Sequence, residues 1–374
     1  MFNLGGLKEL SAAEFDQLEP IQWPVLSKGQ GTTRVFADSK FAFSDGKARF
    51  VATKPLRPKH STNDEYPLVL NTGRMRDQWH TMTRTGKAAR LNNHTPEPFV
   101  DMHPQDALLY GVREGELVRV STRWGSMVVR LRCSGEMPRR MVFVPIHWNG
   151  VFSSDARVGA LVNPVVDPIS GEPELKHTPA RVSAFVVSWQ GFVLSRRSIT
   201  VKDAVWWTQA QGEQFVRHEV AGRRTHADWS PWAHKLLGAT DPSSDFLEYF
   251  DVGTRVYRAA YLIDNRIEAC VYVSPRPDLP SRSWLAGLFA KATLSNADRA
   301  GLLAGHAADA AADTGVTVCS CFGVGRNTIC AAIKKHGLST PQQIGQQLKA
   351  GTNCGSCIPE LKAILLEQAS VGAA

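Results

Sequence analysis

The chain has 374 residues, 43% of them hydrophobic and 21% charged, with a formal net charge of +8. That length exceeds one ordinary core and suits two or three domains. No run of about 18 apolar residues occurs, which argues against a membrane-spanning helix, and the opening MFNLGGLKELSAAEFDQLEP lacks the basic and apolar regions of a secretory signal, which points to the cytoplasm. The arginines are scattered and no recognition motif accompanies them, so the basic balance speaks for acidic proteins or a phosphate-rich ligand rather than nucleic acid.

Residues 1–60 have no core of their own: KARFVAT (47–53) predicts a lone strand, and Pro24, Pro55 and Pro58 stand near breaks. Residues 66–186 are β-rich. YPLVLNTG, MVFVPIHW and RVSAFVVSW read as strands, ELVRVSTRWGSMVVRLRC as a hairpin around Trp124–Gly125, and HPQDALLYGV as one helix with Pro104 in its first turn and Gly111 at its end. Many short strands and few helices predict a barrel. Farther on, VYRAAYLIDNRIEACVYVSP predicts a hairpin turning at Asp264–Asn265, LPSRSWLAGLFAKA an amphipathic helix, and the Ala/Gly-rich GLLAGHAADAAADTG (301–315) a linker. Trp206, Trp207, Trp229 and Trp232 read as core rather than as an electron path. RNTICAAIKKHG, TPQQIGQQLKAG and IPELKAILLEQA predict three short helices, the first two ending at Gly337 and Gly351.

The seven cysteines, without a signal peptide, do not suit a disulfide framework. Cys133, Cys270 and Cys330 read as small buried apolar residues. The other four form Cys319-x-Cys321 and Cys354-x-x-Cys357. Four thiolates suit an iron–sulfur cluster or tetrahedral zinc. The glycine-rich loops CSCFGVGRN and GTNCGSC, each leading into a helix, favour [2Fe–2S], because glycine lets backbone N–H groups approach cluster sulfides. Zinc or structural thiols are the alternatives. Upstream, NTGRMRDQWHTMTRTGK (71–87) could hold a large anion: backbone amides at Thr72 and Gly73, charged forks at Arg74, Arg76 and Arg84, and ring faces at Trp79 and His80. The rival reading is a solvated polar loop. No GxGxxG follows a strand, so no flavin or NAD site is expected.

Residues 316–370 resemble the bacterioferritin-associated-ferredoxin-like [2Fe–2S] domain, an electron relay appended to larger redox enzymes, and the resemblance includes all four cysteines. The ordered set TGR, DQWHTMTRTG, FVDMHPQDALLYGVREGELVRVSTRWGS, VFVPIHW and LVNPVVDPISGEPELK resembles the molybdopterin-dinucleotide-binding domain of the dimethyl sulfoxide reductase superfamily, with bacterial assimilatory nitrate reductase nearest. The resemblance implies a double-psi β-barrel. It places Thr72, Gly73, Arg74, Trp79, His80, Thr81, Thr83, His103, Asp106, Asn163 and Lys176 near the guanine dinucleotide arms of a Mo-bis(molybdopterin guanine dinucleotide) cofactor. His147 and Trp148 are weaker candidates. For His103 and Asp106 a purely local role in starting their own helix is an equal reading. The order of elements in 187–315 resembles the segment before the same cluster module in flavin-dependent nitrite reductases.

The expected architecture is therefore multidomain α+β: a tail of a molybdenum domain (1–60), a dinucleotide-binding barrel (61–187), a small α/β middle region with linker (188–315) and an all-α [2Fe–2S] domain (316–370). The family's [4Fe–4S] motif and molybdenum ligand do not occur, since no cysteine precedes Cys133, and no catalytic residue can be named. The chain reads as the C-terminal part of a nitrate-to-nitrite reductase, inactive alone, with an N-terminal portion as partner. Its donor would be ferredoxin, flavodoxin or an NAD(P)H-dependent reductase subunit. A non-enzymatic iron–sulfur electron-transfer or docking protein is the rival. Arg326, Lys334, Lys335, His336, Lys349 and Lys362 outnumber Glu360 and Glu367 in the cluster domain, which favours an acidic donor.

Overall fold

The computed structural model describes residues 3–50, 52, 54–239, 244–309 and 312–372. Contacts divide the chain into two compact units, Met1–Arg57 and Pro58–Ala374. In the first, Ser11 and Glu14 close a capping box over α1 (Ala12–Asp16), and Val25 is fully buried. The strand expected at 47–53 is absent from 47–50, and Val51 and Thr53 lie outside the described residues. An extended segment needs a partner ladder, and this unit has no strand among the described residues.

The second unit contains a closed barrel of β1 (Leu68–Gly73), β2 (Phe99–Met102), β3 (Leu117–Ser121), β4 (Ser126–Cys133), β5 (Met141–Pro145) and β6 (Thr178–Ala184), in the order β1-β5-β2-β4-β3-β6. β1 runs parallel to β5 and β2 parallel to β4; the remaining pairs are antiparallel. Alternation turns Leu68, Leu70, Met102, Val118, Val120, Val142 and Val144 into the core. These directions put the C-terminal ends of β1 and β5 at one mouth, with the start of β6. The C-terminal end of β2 lies at the opposite mouth, where α3 (Pro104–Leu109) begins after a short α2 (Ala89–Asn92) earlier in the chain.

RVSAFVVSW proves to span two strands. β6 leaves the barrel at Ala184, and β7 (Trp189–Ser195) begins a second sheet. With β8 (Trp206–Gln211), β9 (Val216–Gly222), β10 (Asp245–Asp251), β11 (Val256–Ile263) and β12 (Arg266–Ser274) it forms a wholly antiparallel sheet, order β10-β11-β12-β7-β9-β8. α4 (Trp229–Leu237) packs on one face, and α5 (Arg282–Phe289) with α6 (Asn296–Ala304) on the other. The middle region is thus a six-stranded antiparallel sheet with flanking helices rather than a small α/β element. The Asp264–Asn265 turn is as expected, with φ of 49° and 59° at its two residues. The presumed linker opens as part of α6: a Ser295–Asp298 capping box starts that helix, and Leu302 is buried. Its Ala310 and Ala311 lie outside the described residues. Trp206 and Trp229 are buried, as a core reading requires. Trp206 does more than fill space. It packs with Leu117, Val128, Phe185 and Ala221 and donates its indole N–H to the Val128 carbonyl at 3.0 Å, joining barrel to sheet.

His218 of β9 shares a sheet face with Val193 and Val220 under α4, is 3% exposed, and has a hydrogen-bond partner at neither ring nitrogen. Burial depresses its pKa to about 4. The unfolded chain binds the proton near pH 6.5 while the folded one refuses it, so stability present above pH 6.5 is lost as pH falls toward 4. The loss is on the order of 3 kcal/mol. Urea unfolding from pH 7 to pH 4 is expected to show a shallower decline in His218→Leu than in wild type; parallel curves would exclude His218 as the cause.

The last body holds β13 (Thr317–Cys319), β14 (Val324–Gly325), α7 (Arg326–His336), α8 (Pro341–Leu348) and α9 (Ile358–Gly372). It is not all-α. The Cys-x-Cys segment needs an extended backbone, which folds back through Gly323, φ 64°, to make a two-stranded ladder. α7 ends at Gly337 as expected, whereas α8 is capped by Lys349 in the left-handed region, two residues before Gly351. Of the three other cysteines, Cys270 is fully buried, while Cys133 and Cys330 are half-buried against their cores.

Candidate cofactor sites

Thr72, next to last in β1, turns its side chain inward. Its hydroxyl donates to the Leu175 carbonyl at 2.8 Å, and its own carbonyl accepts from Lys176 Nζ. Gly73 lies against Phe143; a Cβ there would stand 2.7 Å from the ring, so the strand end must be bare. Beyond it, Arg74 is exposed with its guanidinium 4.6 Å from the centre of the Trp79 ring, and Trp79, 55% exposed, meets His80 edge-on at 4.6 Å. Thr81 and Thr83 are exposed on the same loop, and the Thr81 carbonyl accepts from Asn149. Asn163, buried beside the start of β6, donates to the His177 carbonyl at 3.1 Å and to Thr178 Oγ1 at 3.2 Å.

His147 organises this loop. Its Nε2 accepts from the Met75 N–H at 2.8 Å, and its Nδ1 donates to the His80 carbonyl at 2.7 Å, which fixes the tautomer. Burial holds its pKa below the ordinary value, so the ring is neutral and suited to both bonds. Trp148 is buried in the barrel core. Two buried acceptors at this mouth, Asn71 Oδ1 and Glu174 Oε2, have no hydrogen-bond partner. A ligand rich in donors and phosphates fits such a rim: bare strand end, exposed guanidinium, stacking indole and orphaned acceptors.

His103 and Asp106 stand at the opposite mouth, because β2 runs against β5. His103 accepts from the Gln105 N–H at 3.1 Å and caps α3; buried Asp106 accepts from Arg139 Nε at 2.7 Å and the Arg140 N–H at 2.6 Å. Their hydrogen bonding is used locally.

The four clustered cysteines converge in two pairs. Cys321 and Cys354 have sulfurs 3.3 Å apart, on a side where Cys354 is exposed. Cys319 and Cys357 are 2% and 3% exposed, and together they form the buried side. A hydrogen bond with Ser356, 2.9 Å away, lowers the Cys354 pKa, while burial and the neighbouring Cys319 push the Cys357 thiol up to about 11. A buried thiol pair ionises only beside a cation, which a bound iron supplies. Two pairs of thiolates suit a two-iron cluster, each iron taking two of them.

Arg76, expected among the phosphate forks, points elsewhere. Its guanidinium bonds Asp77 at 2.9 Å, Glu360 of α9 at 3.0 Å and the carbonyl of Val318, the residue before Cys319. Ser320 donates to Asp77 at 3.3 Å, and His94 bridges Asp77 at 3.1 Å and Glu360 at 3.4 Å. Burial opposes charge on His94, but bonds to the two carboxylates outweigh it and raise its pKa. This clasp joins barrel to cluster domain. No sequence signal marked Asp77 or His94 for it, since their partners on the cluster domain, Ser320 and Glu360, lie more than two hundred residues away.

Residues 68–179 match the molydopterin dinucleotide binding domain, and residues 317–367, which include all four clustered cysteines, match the BFD-like [2Fe-2S] binding domain. The chain thus carries a molybdopterin-dinucleotide-binding barrel and a [2Fe–2S] module. It is a homologue of nitrate reductases: the nitrate reductase of Klebsiella oxytoca is 35% identical over 97% of this chain and 41% of its own length. The nitrate reductase of Shewanella frigidimarina is 33% identical over 59% of this chain and 26% of its own. The assimilatory nitrate reductase catalytic subunit of Bacillus subtilis is 34% identical over 48% and 25%. The chain therefore spans less than half the length of these relatives. No described helix is long and apolar enough to cross a membrane.

Proposed function

We propose that this chain supplies the C-terminal dinucleotide-binding wall and the [2Fe–2S] relay of a cytoplasmic assimilatory nitrate reductase. The observation that carries the reading is the alignment to a nitrate reductase along 97% of the chain, through both cofactor modules and the sheet between them. The barrel, with its two parallel pairs, we read as double-psi. Its β1 mouth, from Thr72 to Thr83 with Asn163 and Lys176, holds one guanine dinucleotide arm; His103 and Asp106 start α3 and stay outside that contact. Cys319, Cys321, Cys354 and Cys357 hold the cluster. Residues 1–60 complete a molybdenum domain, 61–187 form the barrel, 188–315 the spacer sheet and 316–370 the relay. Phe50 and Leu56, 99% and 90% exposed, support a covering partner for the first segment.

The molybdenum group, when bound, supplies the chemistry that removes an oxygen atom from nitrate to give nitrite. The chain's own contribution is to bind and orient. Arg74 faces phosphate, Trp79 offers a stacking face, and His147 keeps the loop in register. Lys334, Lys335, Lys349 and Lys362, exposed on the cluster domain, favour an acidic donor such as ferredoxin or flavodoxin.

The test is co-expression with an N-terminal portion of such a reductase. The complex is expected to contain molybdenum and to reduce nitrate with ferredoxin, at a rate that falls as salt rises; a complex without molybdenum or nitrate turnover would refute the reading. Arg74→Ala is expected to weaken GDP binding to the chain about 10-fold or more, the loss of a charge-assisted bond worth roughly 1.5–3 kcal/mol. Equal affinity by calorimetry would remove Arg74 from the site.

A further inference from the structure

The clasp around Arg76 lies between the two cofactor sites: Arg76, expected as a phosphate fork, is turned away from that role, and its partners Asp77, His94 and Glu360 belong to neither set of expected ligands. Arg76 is two residues from Arg74, on the loop offered to the dinucleotide. Its other end reaches the peptide that leads into Cys319 and, through Glu360, the first turn of α9, three residues after Cys357. Asp77, the next residue, takes the hydroxyl of Ser320 between Cys319 and Cys321. One short segment therefore touches the Cys319–Cys321 segment and the first turn of the helix after Cys357, and the Arg76 charge lies close enough to act on the buried Cys357 thiol. Most of the group is enclosed: the side chains of Arg76, Asp77 and His94 are 18%, 8% and 21% exposed, while Glu360 at 36% stands at its rim. Arg76 faces Asp77 and Glu360, and His94 bridges the same two carboxylates, so the Arg76–Asp77 pair in particular is partly shielded from solvent.

We propose that Arg76 is a positioning residue for the iron–sulfur cluster: its guanidinium fastens the buried Cys319/Cys357 side to the dinucleotide-binding mouth of the barrel and sets a positive charge beside it. The inference rests on assigning the cluster to the four cysteines. A fork is needed for this, because three acceptors on three segments, Asp77, Glu360 and the Val318 carbonyl, are satisfied by one planar group. A cluster gaining an electron gains negative charge, so a cation held nearby favours the reduced form and raises the reduction potential.

The test uses the full chain with its cluster, in wild type, Arg76→Gln and Arg76→Lys. Iron and sulfide content of the wild type reports on the cluster assignment. Amide hydrogen exchange and a dithionite titration followed by electron paramagnetic resonance report on Arg76. In Arg76→Gln, exchange in residues 74–80 and 317–321 is expected to rise roughly tenfold or more, the order that a lost charge-assisted bond gives to a local opening equilibrium. The cluster potential is expected to fall. Arg76→Lys keeps the charge and loses the fork, so it restores most of the potential and little of the protection. A potential in Arg76→Gln that stays at or above wild type, or unchanged exchange, overturns the proposal. Should that variant not retain iron, the same readings on Arg76→Lys decide: wild-type exchange there overturns it, and raised exchange supports it.

Discussion

Cys354→Ser and Cys357→Ser are each expected to purify with little or no iron, whereas Cys330→Ser keeps the wild-type content of about two iron and two labile sulfide per chain. Each iron of a two-iron cluster takes two thiolates, and the structure offers two pairs, Cys321 with Cys354 and Cys319 with Cys357. Removing one thiolate breaks one iron's set. Cys330 lies on α7, half-buried against Ile329, Ile333 and their neighbours, and belongs to neither pair. The loss should reach beyond the metal. The module's core rests on few large side chains, among them Ile329, Ile333, Ile344, Leu361 and Ile364, and a body of this size normally needs a staple. Amides of α7 and α9 are therefore expected to exchange faster in both iron-free variants. Stoichiometric zinc and no visible absorption in the wild type would exclude the iron–sulfur reading, and full iron in Cys354→Ser would exclude that residue as a ligand.

How far the sequence reveals these sites follows from the range of the interactions. Both cysteine motifs are local, and so is the Asp264–Asn265 turn, where two adjacent residues that tolerate positive φ announce themselves between apolar runs. The loop from Thr72 to Thr83 was recognisable as an ordered set of residue types. What stayed hidden is set by pairing across long separations. RVSAFVVSW reads as one run, and nothing local says that the chain changes sheets after Ala184; only the placement of Val182 in the barrel core and Trp189 in the core of the second sheet separates its two halves. His103 carries the same composition whether it meets a ligand or caps α3; only the antiparallel run of β2 against β5 puts it at the far mouth. His147 follows a strand by two residues, and its role as the clip for Met75 and His80 appears only when β1 and β5 lie side by side. Arg76 looked like one more phosphate fork, since its partners Val318 and Glu360 come from the far end of the chain.

Glu219→Ala is expected to destabilise the spacer sheet by about 3–5 kcal/mol, the range found when one partner of a buried ion pair is removed. Glu219 lies on the α5 face of β9, 1% exposed. Its carboxylate accepts from Arg217 at 2.6 Å and from Arg282 of α5 at 2.6 Å. Arg282 also lies 4.2 Å over the Phe192 ring. Burial opposes the carboxylate's charge, but the charges of Arg217 and Arg282 outweigh it, with Arg130 adding to them, and hold its pKa below the usual carboxylate range. Without it, two half-enclosed guanidinium groups face each other with no counter-charge. The helix that carries Arg282 would lose its electrostatic tie to the sheet. Trp189 and Trp206, both buried in this region, make intrinsic fluorescence a direct reporter of unfolding in urea. Glu219→Gln should fall between wild type and alanine, because the amide oxygen still accepts one bond while the charge is gone. A triple replacement, Glu219→Leu with Arg217→Met and Arg282→Met, should recover much of the loss, since an apolar set avoids the desolvation that the ions incur. An alanine variant with the wild-type urea midpoint would show that the two arginines find water instead, and that the triad does not hold α5 to the sheet.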